Sequence, residues 1–339
     1  MRTRRRPDGS REPQSRRAVS TVVDVGFAMV FISAAIVMLG LFTGVGLQPG
    51  DPTAPEDADR TAEMLGSTTI TAEYQLDRTL EEAESTAFED VEYDRSELRR
   101  GEHGPAMGLV ADAAVANVTF AAGGDAARLS PAAAEYERAV DGAVRELVTG
   151  AKHETQVVAV WEPYTGADVR GTARAGPAPP EGVDVNSVTV TVSSGVDEAR
   201  GDAVDAAADD DADYEAVAEP VAEALVEAYL PPAASQRALE SSGLDRQLTV
   251  ERYVRMATLL EGIGPDDLRK YDDEGETVDL VDRVDGDAET ANEQLVKALT
   301  AQLADDLEAT YEDPETAAEA VSTAEVEVVV RVWNTEDEP

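Results

Sequence analysis

Cysteine is absent, histidine occurs twice, lysine three times, and aromatic side chains make up only 5% of the 339 residues. Without cysteine the chain has no disulfide, no thiolate metal site and no cysteine nucleophile. His103 and His153 are too few for a multi-histidine metal centre. Phosphate-cradling glycine loops, serine elbows and metal-spaced histidine pairs are also missing. Gly262-Ile263-Gly264 lacks the third glycine of a dinucleotide loop and follows a helical pattern. Asp209, Asp211 and Asp213 alternate as in a calcium loop, but Tyr214 then stands where that loop needs glycine and Pro220 where it needs a bidentate glutamate. No metal, no cofactor and no catalysis are therefore expected. Basic side chains are few, 28 against 70 acidic ones, for a net charge of −42. A phosphate backbone would be repelled, which excludes nucleic acid as a partner.

The charge is unevenly spread. Residues 1–17 hold seven arginines against Asp8 and Glu12, a net of +5, whereas residues 48–339 carry a net of −46. This acidity, on an alanine-rich chain with few large apolar residues, resembles the composition of haloarchaeal proteins. It reads as solvation in concentrated salt, where screening confines charge repulsion to about 3 Å at 1 M.

Between the two regions, Val25 to Leu47 runs for 23 residues without a charge. As a helix it would be about 34 Å long, enough for a bilayer core of about 30 Å. A transmembrane helix is expected over 19–47. The arginines would hold its start in the cytoplasm and the acidic bulk would lie outside. A cleaved signal peptide has a shorter apolar core, so retention is expected. Gly40 and Gly44 form a small-xxx-small pair that lets membrane helices approach closely. Asp24, at the edge of the apolar run, sits at headgroup level or meets a positive group on a neighbouring subunit.

The segment Arg16-Arg17-Ala18-Val19-Ser20-Thr21-Val22-Val23, directly before the apolar run, resembles the amino terminus of archaeal type IV pilin-like proteins. The resemblance covers about 30 residues. It implies cleavage by a prepilin peptidase between Ala18 and Val19, retention of the helix, and an Asp24 that meets a neighbour's new amino terminus. Two features depart from the family: Thr21 stands where a proline is usual, and the 292 residues from Gln48 onward exceed a major pilin's body. A minor pilin or a companion of a pilus-like secretion apparatus suits that size.

Beyond the apolar run, 48–66 reads as a linker rich in proline, glycine and acid. Strands are expected at 67–76, 156–161, 187–192 and 324–333, the last with valine at every second position. Helices are expected at 105–117, from Ser130-Pro131 to Gly150, at 214–230, at 248–260 and at 290–310, where Leu295, Leu299, Leu303 and Leu307 keep four-residue steps. Residues 77–102 read as exposed helix or loop, 171–183 as a loop, and 195–213 as a solvated helix or a disordered link. Asn117-Val118-Thr119 forms an N-glycosylation acceptor.

The expected architecture is thus α+β: a basic leader (1–18), a single amino-terminal transmembrane helix (19–47), a linker (48–66), then a mixed helix and strand extracytoplasmic domain. Its parts are an α+β part (67–193) and a mainly helical part ending in a strand (214–333), in one domain or two. The expected role is structural or in assembly within a pilus-like or secretion complex. The expected partners are the lipid bilayer, a prepilin peptidase, pilin-like or secretion components and a second membrane helix. An envelope-anchored binding or sensory module is the alternative.

Overall fold

Leucine at 295, 299, 303 and 307 places four large side chains on one stripe of a helix, and all four are fully buried. That helix is one of eleven seen in the computed structural model, which describes residues 55–81, 93–122, 125–130, 132–209, 212–271, 277–282 and 286–334. In chain order the elements are α1 (Pro55–Ser67), β1 (Thr69–Gln75), α2 (Asp77–Glu81), α3 (Arg95–Leu98), β2 (Arg99–Pro105), α4 (Ala106–Ala116), β3 (Thr119–Ala122), β4 (Asp125–Arg128) and α5 (Ala133–Val148). There follow β5 (Glu154–Trp161), β6 (Gly171–Ala175), β7 (Asn186–Ser193), α6 (Arg200–Ala207), α7 (Tyr214–Tyr229), α8 (Pro232–Glu240) and α9 (Leu244–Leu259). The chain closes with β8 (Arg269–Tyr271), β9 (Thr277–Asp279), α10 (Ala288–Thr310), α11 (Pro314–Glu319) and β10 (Glu325–Trp333).

The organising element is an antiparallel sheet in the order β6-β5-β10-β7. The last strand enters its middle, with Val328 opposite Ala159 on one side and Val190 on the other. Alternation explains its place: Val326, Val328, Val330 and Val332 are at most 1% exposed, while Glu325 and Glu327 face water. The inner face is covered by α4, an alanine-rich helix with seven buried residues, and by α1, which lies over β7 and β10. Beyond these, α7 packs along α10, and α6 and α11 brace α7. One continuous core joins the sheet to these helices, so 67–193 and 214–333 share a single compact unit.

Polar ties fix the joints. Thr323, fully buried, accepts from Ala199 N at 3.0 Å and donates to Asp197 O at 2.7 Å. Its carbonyl accepts from Trp161 Nε1 at 2.8 Å and Ser194 Oγ at 2.7 Å. Tyr164 is fully buried and donates to Asp306 Oδ2 at 2.6 Å, which clips the β5–β6 connection to α10. Burial, then that carboxylate, pushes the Tyr164 phenol well above its ordinary range.

Several expectations are corrected. The fold is mixed α/β, but among the described residues no helix is long and apolar enough to cross a membrane. The longest, α10 with 23 residues, shows why: Glu289, Glu293, Lys297, Asp305, Asp306 and Glu308 punctuate it at nearly every turn. The transmembrane helix placed at 19–47 lies outside the described residues. Part of the supposed linker is α1, because Ala58, Ala62 and Leu65 fall at i, i+4 and i+7 and reach the core. Strand β2, in sequence Arg-Arg-Gly-Glu-His-Gly-Pro, carries no β-branched residue and is held by pairing with β1, where Arg99 Nη2 donates to Glu73 Oε2 at 2.6 Å. The glycine-rich start of the supposed 171–183 loop is β6. Gly171 is required there because a Cβ would overlap the Ala114 carbonyl of α4. Of the two readings of the alanine- and aspartate-rich 195–213 stretch, the helical one holds over α6, which is anchored by buried Ala199 and Ala203.

Candidate functional site

Two helices with the same pattern meet and leave a trough. On α7, Val217, Val221 and Leu225 pack inward and are fully buried. One row round from them, Glu215, Glu219, Glu223 and Glu227 recur every four residues and stay exposed. On α10 the buried leucine row is flanked by Glu289, Glu293 and Lys297, all exposed. The facing rows enclose a groove of about 640 Å³. With Asp213 at the head of α7, seven carboxylates line it against one ammonium group. Among the described residues none of the seven is ion-paired.

The floor is formed by Ala216, Val226, Asn292, Val296 and Thr300. Asn292, 7% exposed, donates from Nδ2 to Leu230 O at 2.7 Å and accepts from Tyr253 Oη at 2.8 Å. Burial pushes that phenol up to about 12. Thr300 is 5% exposed, and its Oγ1 has no hydrogen-bond partner, which in a buried hydroxyl costs about 1–3 kcal/mol. Asp213 also holds the helix itself, since its side chain accepts from Ala216 N at 3.0 Å and caps α7. The aspartate that resembles part of a calcium loop is thus a helix cap. Among the described residues no group of three or more histidine, aspartate or glutamate side chains is placed to hold a metal ion.

Like charges at i and i+4 repel by about 0.2–0.5 kcal/mol per pair. The α7 row holds three such pairs and α10 a fourth, Glu289 with Glu293. The groove is therefore electrostatically under-compensated, and a cationic group entering it would gain from every wall.

The residues singled out in the sequence do not converge here. Ala18, Val19, Asp24, Gly40 and Gly44 lie outside the described residues. Asn117, at the end of α4, is 3% exposed and donates from Nδ2 to Glu137 Oε2 at 2.9 Å, so the folded chain does not present it for glycosylation. His103 Nδ1 meets Thr71 Oγ1 at 2.9 Å on the β1–β2 ribbon. His153 Nε2 lies 3.1 Å from Asp57 Oδ2 and its Nδ1 lies 2.7 Å from Asn334 Oδ1, tying α1 to the ends of β5 and β10. Sequence reasoning misses the groove because Val217, Val221 and Leu225 draw attention to the core side of α7. The signal that could find it is the glutamate row itself, 215 to 227 in steps of four.

A family model described as a family of unknown function (DUF7284) matches residues 23–333. No curated protein and no solved structure matches the chain.

Proposed function

Because the chain belongs to the family of unknown function DUF7284, whose match takes in both the uncharged Val25–Leu47 run and the helices of the groove, we propose that it is a non-catalytic binding module at the cell membrane that takes a cationic partner in the α7–α10 groove. The observation that carries this reading is the set of seven carboxylates without an ion pair, around a floor whose Thr300 hydroxyl is buried without a partner. A fully solvated acidic face needs no such floor. A lysine- or arginine-rich segment supplies donors to the walls and the floor together. Placement at the cell surface, with the body outside the membrane, is supported by the sequence: an arginine-rich start, an uncharged run and a strongly acidic remainder.

A lysine-rich helical peptide titrated against the full chain tests the groove. Glu219→Gln with Glu223→Gln removes the centre of the α7 row. Glu315→Gln with Glu319→Gln on α11 removes the same charge at the same spacing elsewhere. At about 0.2–1 kcal/mol per exposed pair, the groove variant should bind two- to thirtyfold more weakly, and the α11 variant should bind as the parent does. Equal losses in both variants would mean that only net charge is being read, and the groove reading would fail.

A second reading, an assembly role in a pilus-like or secretion complex, draws on a different observation, the Arg16–Val23 segment and its resemblance to prepilin processing sites. In that setting the cationic partner would be a subunit of the complex.

A further inference from the structure

The two edges of the β6-β5-β10-β7 sheet are built differently. At the β6 edge, two backbone N–H groups are occupied by carboxylates of α5: Arg174 N donates to Glu137 Oε1 at 3.0 Å and Gly176 N to Asp141 Oδ1 at 2.8 Å. A strand cannot add there without displacing them. At the β7 edge, β10 is the only strand paired, and among the described residues no other backbone partner is bonded to Asn186–Ser193. The strand is eight residues long, without charge, proline or bulge, in a chain in which 29% of residues are charged. Natural edge strands carry such guards against pairing.

Packing is unfinished on the same side. Val326, Val328 and Val330 of β10 are fully buried. Their β7 partners Val192, Val190 and Val188 are only half-buried, although α1 lies over both strands. Val185, immediately before β7, is one of only two large apolar side chains exposed among the described residues. An added strand would complete both the hydrogen-bond ladder and this apolar row.

We propose that the occupant is β7 of a second copy, paired antiparallel about a two-fold axis at Val190, so that two four-stranded sheets become one of eight. Self-complementarity decides the partner and the register. A two-fold axis normal to the sheet keeps each residue on its own face. Centred on Val190, it sets Val190 against itself and Val188 against Val192, while on the outer face Thr189 meets Thr191 and Ser187 meets Ser193. Centred on Thr189 instead, it would leave Val192 opposite Asn186. Charge points the same way. Two bodies of net −46 approach most easily along a strand that itself carries no carboxylate: Asp184 and Asp197 fall beyond both ends of the seam, and Glu325 and Glu327 lie one strand further in, on β10. This inference is independent of the groove.

Cysteine cross-linking in the full chain, which has no native cysteine, tests it. Facing residues of an antiparallel pair have Cα atoms about 4.5–5.5 Å apart, within disulfide reach. Under mild oxidation Val190→Cys should yield a covalent dimer, whereas Arg174→Cys, on the guarded β6 strand, should not. Linking should speed up between about 0.1 M and about 1 M salt, as the screening length falls from about 10 Å to about 3 Å. Adding Thr189→Glu and Thr191→Glu sets carboxylates against carboxylates across the seam, beside Glu327 of β10, and should slow linking about tenfold or more in dilute salt, with the circular dichroism spectrum unchanged. The proposal is overturned if Val190→Cys links no faster than Arg174→Cys, or if the glutamate pair leaves the rate unchanged.

Discussion

The glutamate row of α7 should cost stability that salt restores. Glu219 and Glu223 take part in all three i,i+4 pairs of the row, 215/219, 219/223 and 223/227. Replacing both with glutamine leaves the helix and its buried face intact and removes all three repulsions. At about 0.2–0.5 kcal/mol each, the gain is about 0.6–1.5 kcal/mol in dilute buffer. For a body of this size, with an unfolding entropy of about 2.1 cal/mol/K per residue, that corresponds to a rise of about 1–2.5 °C in Tm. At about 1 M salt the screening length is about 3 Å, shorter than the spacing of neighbouring side chains on a helix, and the gain should vanish. Thermal or urea unfolding followed by circular dichroism, parent and E219Q/E223Q side by side at the two salt levels, measures the difference. A gain of equal size at both would trace it to helix propensity. No gain in dilute buffer would mean that the carboxylates are already compensated, and the electrostatic reasoning for the groove would be refuted. The α11 variant E315Q/E319Q removes a single pair and serves as the scale.

The Asp112 carboxyl is pushed from 3.8 up to about 6, by desolvation first and then by the charge of Glu102. Between about pH 4 and 6 the folded state therefore binds more protons than the unfolded one, and this group makes the protein less stable as pH rises through that window. Asp112→Asn should flatten that part of the stability curve and stabilise at pH 7; because the residue is exposed at the surface, the effect is held to about 1 kcal/mol or less. Urea midpoints at several pH values, parent against variant, read it, and parallel curves would contradict it. For the assembly reading, amino-terminal sequencing of the protein from cells with an active prepilin peptidase should find Val19 as the first residue; an intact Met1 terminus would remove that reading.

Periodicity carried much of the fold. The Leu295–Leu307 row, the valine alternation of β10 and β7, and the Ser130-Pro131 start followed by Tyr136, Val140 and Val144 are all visible in the amino-acid order, because each element needs a buried face and signals it by spacing. Elements held by their neighbours are not visible in this way. β2 has no strand-forming residues and exists because β1 pairs with it. β6 follows the line of β5 and needs Gly171 only because α4 passes so close. α1 hides its core contacts in alanines among acids, where a small side chain gives little hydrophobic contrast.

The same division holds for the sites. The order of residues alone fixed the charge asymmetry, the uncharged 25–47 run, the glutamates at 215, 219, 223 and 227, and the charge-free Asn186–Ser193 segment. Tertiary structure decided what they face. It set Glu289 and Glu293 of α10 opposite the α7 row, buried the Thr300 hydroxyl in the floor between them, and withdrew Asn117 from solvent. It also drew β10 from the far end of the chain into the middle of the sheet, which left β7 at an open edge while α5 closed β6. Spacing along a chain specifies which side chains share a face; only packing specifies which faces meet.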